Sequence, residues 1–163
     1  FFKIISTIFS LVYLILFVYL IYENISKEDP NLSLHILYLF LICIFSDIGG
    51  LVFGKIFKGK KLTKISPKKT LSGSIGSFLF SLILVPIFYI FLPNFNSIFK
   101  LIFLSIIISL FCQVGDLIIS FLKRKANVKD TGNLLPGHGG LLDRIDGMLL
   151  AIPIGILMWN FLL

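Results

Sequence analysis

Five long apolar runs constrain this chain more than any other feature. They fall at about 4–22, 32–53, 71–92, 98–122 and 141–163, and few charges interrupt them. A helix needs about 20 such residues to cross the hydrocarbon core of a bilayer. Of the 163 residues, 57% are hydrophobic and 14% charged, whereas soluble domains carry about a quarter charged residues. The expected fold class is all-α: a polytopic helical membrane protein of about five transmembrane helices with two basic cytoplasmic loops. Residues 1–163 read as a single transmembrane domain.

The net charge of +7 belongs to the segments between the runs. With five spans, Lys3, the loop 54–70 and the loop 123–144 share one side of the membrane, and that side holds 13 of the 15 cations. Lys27 and Lys100 fall on the other. Excess Lys and Arg marks the cytoplasmic side, so both basic loops are placed there. Such loops face anionic headgroups or an anionic substrate. No nucleic-acid recognition module is present and the cations flank spans, so nucleic acid is not an expected partner.

The most polar stretch runs from 120 to 146. It packs Lys123, Arg124, Lys125, Lys129, Arg144, Asp130, Asp143, Asp146 and His138 into 27 residues between two apolar runs. Charge beside a membrane span is costly unless paired or functional. Asp143 and Asp146 are i,i+3 neighbours on one helix face. Asp116, Ser120 and Lys123 share a face of another helix. Asp47 sits in the second half of the second run, beside Gly49 and Gly50. Carboxylates from separate helices that meet at one membrane face suit Mg²⁺, a hard cation that bridges substrate phosphates. The plainer reading is that these acids neutralise neighbouring Lys and Arg. The placement of Asp116 and Asp143 at span ends favours a metal there.

Two other segments point to phosphate. Ser66-Pro67-Lys68-Lys69-Thr70 has a good helix cap in Ser66 and a Pro suited to the first helical position, so the third helix is expected to begin here. Its free N–H groups would face the cytoplasm, and a polyanion would offset Lys68 and Lys69 in that first turn. The turn Pro136-Gly137-His138-Gly139-Gly140 lets backbone approach a ligand closely. His138 is either a phosphate donor or acid, or a solvated loop residue. Lys55, Lys58, Lys60 and Lys61 read as contacts to anionic lipid. Cys43 and Cys112 lie in apolar runs and read as packing residues. Pro86 is expected to kink the third span. Trp159 suits an interfacial belt, and His35 is assigned no role.

The run Ser120 to Asp146, S-x-x-K-R-x-x-x-x-K-D-x-x-x-L-x-P-G-H-G-G-x-x-D-R-x-D, resembles the signature of the phosphatidate cytidylyltransferases, or CDP-diacylglycerol synthases. Three further stretches are similar to that family: Ser46 to Phe57, Lys64 to Thr70, and Gln113 to Leu117. Leu51, the Lys58-Gly59 order, Ser72 and Ile119 depart from its usual pattern. The family has further spans upstream, so the chain resembles its C-terminal catalytic part.

The resemblance implies transfer of CMP from CTP to phosphatidate, giving CDP-diacylglycerol and pyrophosphate. It implies Mg²⁺ at Asp116 and Asp143, a monovalent cation such as K⁺ beside it, and a site facing the cytoplasm of a bacterial inner membrane. It places Lys123, Arg124, Lys129 and Arg144 on substrate phosphates, and Ser66, Lys68, Lys69 and Thr70 on a second phosphate-contacting edge. His138, Gly139 and Gly140 cradle a phosphate, while Asp47, Asp130 and Asp146 orient substrate or cations. A homodimer is compatible with it. Two alternatives stand beside this reading: a CTP-dependent polyprenol or phytol kinase, and a non-catalytic membrane component that binds anionic lipid.

Overall fold

The protein is described here from a computed structural model. It describes residues 2–26, 30–63, 66, 69–92, 97–128, 130–132, 140 and 142–162, with backbone alone for 2–9 and 30–32. The apolar runs form five helices: α1 (Phe2–Ser26), α2 (Pro30–Phe57), α3 (Leu71–Phe91), α4 (Ile98–Lys125) and α5 (Leu142–Leu162). Ser33–Phe57, Leu71–Phe91, Ile98–Lys125 and Leu142–Leu162 are long and apolar enough to cross a membrane; the described part of α1, Ser10–Ser26, is shorter. The fold is that of a polytopic helical membrane protein.

Local chemistry sets the helix ends. Ser97 caps α4 by accepting from the Phe99 N–H at 3.3 Å. The last turn of α4 carries Lys123, Arg124 and Lys125, the sign that suits a helix C-terminus. α2 ends where Lys58 and Gly59 turn to φ 49° and 71°. The chain then doubles back: Leu62 N–H donates to the Lys69 carbonyl at 2.8 Å, and Leu71 N–H to that of Lys60 at 2.9 Å. This pairing keeps residue 70 extended and moves the start of α3. Thr70, not Ser66, is the cap, and its hydroxyl accepts from Gly73 N–H at 3.1 Å. Pro86 is carried inside α3.

Lipid supplies little hydrophobic drive between helices, so close packing depends on small residues. α2 and α3 touch through glycines. A Cβ on Gly76 would lie 2.4 Å from Phe53 Cβ and 2.6 Å from the Gly49 carbonyl oxygen. α4 and α5 do the same: a Cβ on Gly147 would lie 2.8 Å from the Cys112 carbonyl oxygen. Each crossing has an acid beside it, Asp47 near Gly49 and Asp146 next to Gly147. The residues that let helices approach therefore also bring carboxylates together.

Tyr38, Leu39, Ile42, Leu101, Leu104, Ile108 and Ile152 fill the core, and Cys43 and Cys112 are buried free thiols among them. Its hydroxyls pair off, as buried hydroxyls must. Tyr38 OH meets Ser105 Oγ at 2.6 Å and Ser46 Oγ meets Ser109 Oγ at 2.9 Å. At the opposite end from the basic loops, Lys100 Nζ donates to the Leu162 carbonyl at 2.5 Å. Trp159 is not in an exposed belt: it is buried and stacked on buried His35, with ring centroids 3.6 Å apart.

Gly76→Ala is expected to lower stability by about 1–3 kcal/mol, because backbone must move. Gly50→Ala should cost less, since the near atom is the rotatable Ser77 hydroxyl at 2.8 Å. Denaturation midpoints in detergent check this; equal midpoints would contradict the close α2–α3 crossing.

Candidate active site

The C-terminal ends of α2 and α4 and the N-terminal ends of α3 and α5 surround one cavity of about 360 Å³. That volume suits a small-molecule site. α2 contributes Asp47, Gly50 and Leu51, and the 58–70 loop contributes Leu62, Ser66, Lys69 and Thr70. α3 adds Gly73, Ser74 and Ser77; α4 adds Gln113 and Asp116; α5 adds Asp143, Arg144 and Asp146. Four carboxylates thus share one mouth.

Cations make this arrangement tolerable. Lys123 Nζ donates to Asp143 Oδ1 at 2.9 Å and lies 3.6 Å from Asp146 Oδ2. All three side chains are largely buried, at 13%, 10% and 15% exposure. This cluster binds α4 to α5. Lys69 pairs with Asp116, linking the 58–70 loop to α4, and Ser120 Oγ donates to Asp116 Oδ1 at 3.2 Å. Asp47 lies within electrostatic reach of Asp116, Asp146 and Lys69, with Cys112 Sγ 3.9 Å away. Against these four acids stand Lys69, Lys123 and Arg144.

Asp143 also organises the loop before its own helix. Its Oδ2 accepts from Thr131 N–H and Gly140 N–H, each at 2.8 Å, while Asp143 N–H donates to the Gly140 carbonyl at 3.2 Å. An acid reaching back to a backbone N–H three residues earlier is half of a capping box. Gly140 is needed there: a Cβ would lie 2.5 Å from Thr131 Oγ1 and 2.9 Å from Gly132 N.

Of the residues singled out in the sequence, Asp47, Ser66, Lys69, Thr70, Asp116, Asp143, Arg144 and Asp146 meet at the cavity. Lys123 and Gly140 hold it from behind. Arg124 does not line it; it is exposed and donates to the Val128 carbonyl at 3.3 Å. Neighbouring helix residues point about 100° apart, so Lys123 and Arg124 cannot share a face. Asp130 is exposed and also does not line the cavity. Lys68, Lys129, His138 and Gly139 lie outside the described residues. The sequence reading missed Gln113, Ser74 and Ser77. Gln113 stands three residues before Asp116 inside an apolar run, and that polar placement is the signal that could have found it.

The protein is thus an all-helical membrane protein that gathers acids and cations around one cavity at its span ends. Residues 1–162 match the model of the Cytidylyltransferase family, and the chain belongs to that family. It is 46% identical over 122 residues to a phosphatidate cytidylyltransferase of Staphylococcus haemolyticus, covering 74% of this chain and 46% of the relative. It is 46% identical over 139 residues to the protein of the same name from Rickettsia felis, covering 80% and 60%. With the Staphylococcus aureus protein of that name it shares 44% over 130 residues, covering 78% and 50%. The chain spans about half the length of the curated relatives it matches.

Lys123→Met should strand two buried carboxylates and destabilise the protein by about 3 kcal/mol. A thermal melt in detergent reads the loss. A melting temperature within a degree of wild type would show that the ion cluster does not hold α4 to α5.

Proposed function

We propose that the chain transfers CMP from CTP to phosphatidate, giving CDP-diacylglycerol and pyrophosphate at the cytoplasmic face of a bacterial inner membrane. The observation that carries this is the single cavity on which Lys69, Arg144 and four carboxylates from three helices converge. The names of the relatives and the basic loops flanking the cavity support it.

A phosphate oxygen of the lipid attacks the α-phosphorus of CTP, and the bond to the bridging oxygen of pyrophosphate breaks. Both reactants are anions, so the main demands are positioning and neutralisation of charge. Lys69 and Arg144 would take phosphate oxygens. Lys69 exchanges its pairing with Asp116 for that contact. Lys123 fixes Asp143, and Asp143 holds Thr131 and Gly140 at the start of α5.

The donors fit Mg²⁺: they are hard carboxylate oxygens with one acid in excess of the local cations. Among the described residues no three His, Cys, Asp or Glu side chains cluster as a ready-made metal cage. Mg²⁺ normally takes only one or two carboxylates, with waters and phosphates completing its shell. Asp116 and Asp143 would hold it; in this structure their oxygens are paired instead with Lys69 and Ser120, and with Lys123, Thr131 and Gly140, respectively. Asp47 and Asp146 stand beside them and suit a monovalent cation such as K⁺. When bound, the divalent ion offsets the charge of the two substrates.

Membranes holding the chain, given labelled CTP and phosphatidate, should form labelled CDP-lipid and release pyrophosphate. Lipid phosphate plus CDP would instead identify a kinase. Asp116→Asn should lower turnover by about 10²–10³-fold, the usual scale for removing a charge-stabilising group. Near wild-type turnover would remove Asp116 from the site. Chelation of divalent ions should stop the reaction, with Mg²⁺ restoring it; turnover that persists in chelator would exclude the metal assignment.

A further inference from the structure

The membrane-ward part of the cavity holds neutral polar groups beside Asp47, and the charge chemistry above leaves them without a role. They are Gln113, Ser74 and Ser77. Gln113 precedes Asp116 by three residues on α4, which places it about 4.5 Å deeper along the helix axis. Ser74 Oγ donates to Gln113 Oε1 at 2.5 Å, which fixes the amide. The other side, Nε2, reaches Ser109 Oγ only at 3.5 Å, and that hydroxyl already pairs with Ser46 at 2.9 Å. An amide nitrogen carries two hydrogens, so at least one is left for whatever enters the cavity.

Gly50 and Gly73 close the α2–α3 crossing, a Cβ on Gly73 lying 2.8 Å from the Gly50 carbonyl oxygen. Next to them, however, Leu51 both lines the cavity and is 63% exposed, so the cavity reaches the outer surface of the bundle there. An exposed Leu on a span helix faces acyl chains, so this side is open to lipid. The free amide hydrogen calls for an acceptor, and Asp47 in the same lining disfavours an anionic one, so the occupant is an uncharged hydrogen-bond acceptor just below a phosphate on the acyl side. The ester carbonyls of a diacylglycerol phosphate have that position and chemistry. The cytosine base carries a similar carbonyl, but it would have to enter deeper than its own charged triphosphate.

We infer that Gln113, fixed by Ser74, is a specificity-determining residue that donates to an acyl ester carbonyl of the lipid substrate. The inference rests on the phosphatidate reading above. It makes the enzyme selective for ester-linked over ether-linked lipid, because the ether analogue lacks the carbonyl and leaves the half-buried donor unmatched.

Equilibrium binding separates the possibilities without needing turnover. The chain in detergent micelles is titrated with diacyl phosphatidate, with its dialkyl ether analogue, and with CTP. Wild type should bind the diacyl form about five- to tenfold more tightly than the ether, the scale of one hydrogen bond. Gln113→Leu should abolish that preference and leave CTP affinity unchanged. Gln113→Glu, which keeps an acceptor for Ser74 but lacks the donor, should do the same and guards against a packing defect in the Leu variant. A merely structural role would weaken both lipids equally and keep the ratio. Equal binding of both lipids by wild type overturns the inference, as does a preference that survives both variants. Loss of CTP affinity alone in the variants would assign Gln113 to the base and also overturn it. Failure of wild type to bind either lipid would instead sink the phosphatidate reading itself.

Discussion

Lys123 is the interaction on which the site depends. Its ammonium lies between Asp143 and Asp146, with all three side chains mostly out of water. Two carboxylates three residues apart on one helix would repel each other strongly at that depth. The cation from the neighbouring helix turns this repulsion into a clamp between α4 and α5. Asp143 then has an oxygen free to gather Thr131 and Gly140, so one ion cluster fixes a helix crossing and a loop together.

The glycine contacts make the cluster geometrically feasible. Gly115 and Gly147 bring two backbones so close that a Cβ on Gly115 would sit 3.0 Å from the Gly147 carbonyl oxygen. The acids next to them, Asp116 and Asp146, approach in consequence. The α2–α3 crossing does the same for Asp47. In water such an acid array would gain its stability from solvation. Here the small residues bring the acids together and the lysines compensate them.

Much of this was legible from sequence, because span length and charge bias are local, additive signals. The five helices match the five apolar runs, and Asp47, Asp116, Asp143 and Asp146 line one cavity. What failed depended on contacts between distant segments. Ser66-Pro67 is a sound start signal taken alone. It lost to Thr70 because Lys60 and Leu62 pair with Leu71 and Lys69 and hold the segment extended. Trp159 looked interfacial from its place near a run's end, but its partner His35 lies on another helix. Arg124 carried the same charge as Lys123 and differed only in the direction it faced. Gln113 escaped because attention followed charge, while the hydrogen bonds that define it come from Ser74 and Ser109 on two different helices.

The two ends of the bundle differ in how they carry charge. At one end charge opens onto a cavity walled by Gly50, Gly73 and the exposed Leu51. At the other, a stacked His35–Trp159 pair is fully packed, and neither His35 nitrogen has a partner among the described residues. A buried imidazole without a partner is tolerable only when neutral, so it adds no field of its own. The hydroxyl pairs between, Ser46–Ser109 and Tyr38–Ser105, are also neutral and closed on themselves. The four carboxylates with Lys69, Lys123 and Arg144 are thus gathered at one mouth, while at the far end Lys100 is tied to the Leu162 carbonyl. Under the phosphatidate proposal a dianionic headgroup entering past Leu51 would meet the cations of that mouth, and the neutral packing behind them would offer its charge no other place.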